Sequence, residues 1–107
     1  KAERACALAE AIACASWPEL RDGLAAVLGD HVRAARDAVP VPPPGSPFDR
    51  DHVWQNEQIC THGVAYGTCS SSIVALHDGA VAHYLFADGP PCRARFEEYT
   101  HLVAGDA

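Results

Sequence analysis

The stretch SSIVALHDGAVAHYLFADGPP, residues 71–91, decides the fold class. Two apolar runs, 72–77 and 80–87, flank the pair Asp78-Gly79. That dipeptide suits a two-residue turn whose central positions both take positive φ, so the stretch predicts a β-hairpin. Upstream, turn glycines Gly63 and Gly67 set off two further runs, 52–60 and 64–70, in which apolar and polar residues alternate with period two. The expectation is an antiparallel sheet of about four strands. Downstream of Pro90-Pro91, the segment RARFEEYTHLVAG brings Phe96, Tyr99, Leu102 and Val103 to one helical face and stops at Gly105, as a closing helix does.

The N-terminal third reads as helix. AERACALAEAIACA is rich in strong helix formers, and Ser16-Trp17-Pro18-Glu19 supplies an N-cap serine, a proline in the first turn and a glutamate at the capping-box position. Leu20, Leu24, Val27 and Leu28 then recur at helical spacing, and Val32 and Ala35 extend the stripe. Gly29-Asp30 either caps one helix before another begins or is tolerated inside a longer one. Between the halves, AVPVPPPGSPFDRD (38–51) holds five prolines and a glycine, a composition that excludes helix interior and central strand and gives an extended connector. Such a segment is either a surface linker or a proline ligand for a partner's aromatic groove. The fold class is therefore α+β: N-terminal helices and a C-terminal helix packed on an antiparallel sheet. The chain is one domain, in which residues 1–39 are helical, 40–51 form the connector, 52–91 are rich in strands and 92–105 form the closing helix.

Charge narrows the partners. Fourteen acidic residues against eight basic ones give a net charge of −6, which repels phosphate backbones and anionic membrane surfaces. No run of about 18 apolar residues spans a bilayer, and no leader pattern opens the sequence. Neither nucleic acid nor membrane is expected as a partner. Lys1 in place of an initiator Met leads to the expectation of a piece of a larger protein. The five cysteines Cys6, Cys14, Cys60, Cys69 and Cys92 are an odd number with no CxxC pair, which favours a reducing, intracellular setting.

Three sets of residues can carry function. If 52–60 is a strand, His52, Trp54, Asn56, Gln58 and Cys60 share one face, and Trp54 with Asn56 and Gln58 makes an anchor for another protein or for a second copy. Cys60 and His62 at the end of that strand can approach one metal, with the remaining ligands drawn from His77, His83 or Cys69. A thiol nucleophile is the third possibility: Cys69 in YGTCSSS or Cys6 near the start of the first helix, with His83 as base.

A helix opening near a cysteine, the segment SWPELRDGLAAVLGDHVRAA and a hairpin ending DGAVAHYLFADG together resemble a compressed papain-like ubiquitin-specific protease of the herpesvirus large-tegument kind. The resemblance implies a helix-start cysteine nucleophile and a final strand ending Phe-Asp-x-His. Here that stretch reads Phe86-Ala87-Asp88-Gly89, so Ala87 stands at the Asp position and Gly89 at the His position. A thiol without its imidazole lacks the base that makes it an efficient nucleophile at neutral pH, so the resemblance implies an inactive relative unless His83 or His77 substitutes. The reading is a noncatalytic protein-interaction or regulatory domain without a cofactor. The alternatives are a cysteine-dependent, deubiquitinase-like hydrolase and a small-ligand or metal-binding module on the sheet face.

Overall fold

The computed structural model describes residues 1–12, 16–63 and 66–103. Helix α1 runs Ala2–Glu10 and α2 runs Trp17–Leu28. Ser16 accepts a hydrogen bond from the Glu19 N–H at 3.3 Å and Pro18 lies in the first turn, as the capping signature requires. The absence of a side chain at Gly23 of α2 lets Ile12, just past the end of α1, pack closely: a Cβ on Gly23 would lie 2.7 Å from the Ile12 side chain. At Gly29 the helix stops, its N–H closing on the Ala25 carbonyl at 3.1 Å. Val32 and Ala35 therefore do not continue the α2 stripe; only a short 3₁₀ turn, Arg36–Ala38, follows. The proline-rich segment is irregular, with Gly45 at a φ of +86° in its turn.

The run 52–60, expected as a strand, opens instead inside helix α3, Arg50–Gln55. The Asp49 carboxylate accepts from the His52 N–H at 2.8 Å, and this local cap outcompetes an alternation that has no adjacent strand to pair with. Segment 64–70 contributes no extended strand among the described residues. His62 and Gly67 form an isolated antiparallel bridge, while Val64 and Ala65 lie outside the described residues.

The hairpin forms as expected. Strand β1 is Ser71–His77 and β2 is Ala80–Ala87, joined by Asp78 (φ +50°) and Gly79 (φ +77°), a turn positive at both centres. Register runs from Ser71 opposite Ala87 to His77 opposite Ala80, with an irregularity between Ala75 and Leu76. The closing segment departs from a single helix over 92–105. Glu97–Glu98 forms strand β3, pairing with Phe86 and Leu85, and only Thr100–Val103 turns into helix α4. The Tyr99 N–H donates to the Tyr84 carbonyl at 2.7 Å and the Tyr84 N–H to Thr100 Oγ1 at 3.1 Å, so β2 captures the segment edge-on. Gly105, the expected stop, lies outside the described residues.

The architecture is α+β: four α-helices and an antiparallel sheet of three strands, ordered β1-β2-β3, among the described residues. No described helix is long and apolar enough to cross a membrane. The buried apolar side chains among the described residues are Val39, Cys60, Ile73, Leu85 and Ala87. A Cα radius of gyration of 16.5 Å exceeds the roughly 13 Å of a compact chain this long. Extents of 53 × 27 × 26 Å match that small core.

Candidate metal centre

Three segments converge beside the end of α2. His31 follows the helix stop at Gly29-Asp30. The Asp30 carbonyl accepts the Cys60 N–H at 2.9 Å, which fixes the two strips of backbone against each other. Arg4 of α1 holds the Asp30 carboxylate with two hydrogen bonds, at 2.6 and 2.9 Å. That bidentate pair keeps the Asp30 carboxyl below its usual range, outweighing the opposing effect of burial.

Cys60 and His62 sit on a tight loop. Thr61 donates its N–H to Thr68 Oγ1 and receives the Thr68 N–H on its carbonyl, both at 2.9 Å; the Gly63 N–H reaches the Tyr66 carbonyl at 2.7 Å. A Cβ on Gly63 would stand 2.6 Å from that carbonyl oxygen, so the loop needs glycine there. The Thr61 hydroxyl donates to the Gln58 carbonyl at 2.9 Å, and both side chains are buried. Cys92 arrives from the far end of β2 on the Pro90-Pro91 turn, where the Arg93 and Ala94 N–H groups both donate to the Pro90 carbonyl.

The donor atoms of His31, Cys60, His62 and Cys92 all lie within 4.8 Å of one another. His62 Nε2 stands 3.1 Å from His31 Nε2, 3.1 Å from Cys92 Sγ and 3.6 Å from Cys60 Sγ. One ring nitrogen carries a single lone pair or a single N–H, so it can satisfy one of those three neighbours by hydrogen bonding. Four donors around a common cation would account for the convergence of all of them. Zn–N bonds of about 2.0 Å and Zn–S bonds of about 2.3 Å put tetrahedral donors roughly 3.3 to 3.8 Å apart, near the three separations from His62 Nε2 and inside the 4.8 Å that bounds the whole set.

Cys60 is fully buried, whereas His31, His62 and Cys92 are exposed. Burial pushes the Cys60 thiol up; the Cys92 main-chain N–H pulls it down, the Cys92 thiol pushes it up and the Arg93 charge lowers it. The net effect is upward, so Cys60 by itself favours its neutral thiol, and a bound cation would supply the charge that stabilises the thiolate. Two thiolates and two neutral imidazoles would neutralise a divalent ion.

The sequence points to Cys60 and His62 as a ligand pair, and they lie together. The two donors that the fold brings to them are His31 and Cys92, not His77, His83 or Cys69. His77 is at the hairpin tip beside Asp78. His83 Nδ1 pairs with Glu98 at 3.0 Å while its ring stacks on Trp17 at 4.2 Å, and the Cys69 thiol donates to the Gly67 carbonyl at 3.6 Å. Neither Cys69 nor Cys6, exposed on α1, hydrogen-bonds His83 among the described residues. Trp54 lies in α3, Asn56 caps that helix and Gln58 is buried, so the shared strand face is not formed. Ala87 is buried at the end of β2 and Gly89 is a turn glycine with φ of +136°. His31 and Cys92 carry no motif spacing; the usable hints are a Cys-x-His pair and a cysteine placed by Pro-Pro at a strand end.

Searches for similar proteins returned no matching family model, no matching curated protein and no matching solved structure.

Proposed function

We propose that this chain is a noncatalytic, zinc-stabilised module, in which His31, Cys60, His62 and Cys92 hold one Zn²⁺ and thereby lock three loops into a fixed surface for regulation or interaction. The observation that carries the reading is the convergence of three polar donors on His62 Nε2 within a set of four. Four protein ligands fill a tetrahedron and leave no position for water or substrate, which is the arrangement of structural rather than catalytic zinc. The soft N₂S₂ donor set favours zinc over magnesium or calcium, which take oxygen.

The energetic need is plain. A structural zinc contributes on the order of 10 kcal/mol, comparable with the whole stability of a domain, and among the described residues few apolar side chains are buried. Metal analysis of the purified chain should find one zinc per chain. Cys60→Ser, His62→Ala, His31→Ala and Cys92→Ser should each lower bound zinc and the melting temperature together, whereas Cys69→Ser and His77→Ala should change neither. Full zinc occupancy in all four ligand variants contradicts the proposal.

A further inference from the structure

Resting on the zinc reading above, we infer that the centre is a peroxide-sensitive switch in which Cys92 is the thiolate oxidised first, Cys60 resolves it as a disulfide, and zinc is released. The geometry separates the two sulfurs by role. Cys92 is exposed on a turn and meets a small oxidant from solvent, while Cys60 is fully buried and does not. Their Sγ atoms lie within 4.8 Å of each other, so a sulfenic acid on Cys92 forms next to its resolving partner.

The step balances with a hydroperoxide as oxidant. The Cys92 thiolate attacks one peroxide oxygen; an S–O bond forms, the O–O bond breaks and hydroxide leaves. The Cys60 thiolate then attacks the Cys92 sulfur, an S–S bond forms and a second hydroxide leaves. Each hydroxide takes a proton from solvent, giving two waters. The two sulfurs together give up two electrons, the peroxide accepts them, and Zn²⁺ keeps its oxidation state. A disulfide sulfur is a poor ligand, so the ion is left with His31 and His62 alone and dissociates. Because zinc and fold are coupled, oxidation loosens the three loops, and a thiol reductant with free zinc restores them.

The test uses the full chain with Cys6, Cys14 and Cys69 replaced by serine, loaded with zinc and treated with hydrogen peroxide. Free zinc is followed with a metallochromic dye and thiol state by peptide mapping after alkylation. One zinc should be released per Cys60–Cys92 disulfide, both changes should reverse with reductant and zinc, and a 1,3-dione trap should label Cys92 early in the reaction. Zinc that stays bound, zinc lost to sulfinic or sulfonic acid without a disulfide, or a trap that labels Cys60 first overturns the switch while leaving the zinc module standing. An unsubstituted chain that takes up no zinc before oxidation contradicts both. Should the serine variant fail to load zinc, the same mapping on the unsubstituted chain decides the matter by whether the disulfide joins Cys60 to Cys92.

Discussion

Trp54 shows how a single side chain changes meaning once its backbone is placed. Its indole N–H donates to the Ala34 carbonyl at 2.9 Å, and the guanidinium groups of Arg33 and Arg36 lie 4.8 and 5.8 Å from its ring. The ring thus ties α3 to the segment that leaves α2. Trp54→Ala removes a hydrogen bond, two cation–π contacts and much packing, and should cost about 2–4 kcal/mol in a denaturant melt. An unchanged melting curve contradicts this packing role. Sequence alone puts the same residue on an open strand face, because alternation in 52–60 says nothing of a partner twenty positions away. His31 and Cys92 are hidden for the same reason. Ligand spacing is a signal only when one local element presents the ligands, and here the Asp30–Cys60 backbone hydrogen bond and the Pro90 turn bring them together.

At the scale of elements, local chemistry is legible in the sequence and competition between local choices is not. The β1–β2 hairpin and the α2 N-cap are readable because Asp78-Gly79 and Ser16-x-x-Glu19 each specify a conformation within four residues. Helix α3 escapes such a reading although Asp49 stands ready as its cap, because the period-two pattern after it points to a strand. The closing helix is shorter than expected because β2 has an open edge that Glu97–Glu98 can pair with. The hairpin also gives a clean test. A Cβ on Gly79 would meet nothing within 4 Å, so any penalty at this position comes from the backbone, whose φ of +77° a β-branched residue strongly disfavours. Gly79→Val should lower stability by about 1–3 kcal/mol by chemical denaturation. A variant as stable as the parent contradicts the two-residue turn.

Over the whole molecule, an extended shape, a small apolar core and four converging ligands belong to one physical picture. The segment leaving α2, the loop after α3 and the turn after the hairpin each supply part of the proposed centre, so a bound metal would join segments that side-chain burial joins only weakly among the described residues. Its binding free energy would then become folding free energy. Titration of the metal-free chain with Co²⁺ reads this directly, because tetrahedral thiolate–imidazole cobalt shows intense visible d–d bands and a sulfur-to-metal charge-transfer band. Both should rise to saturation at one Co²⁺ per chain, together with the recovery of ordered structure by circular dichroism, and should vanish when one equivalent of Zn²⁺ is added. A titration that yields only the faint pink of octahedral cobalt would contradict the zinc centre.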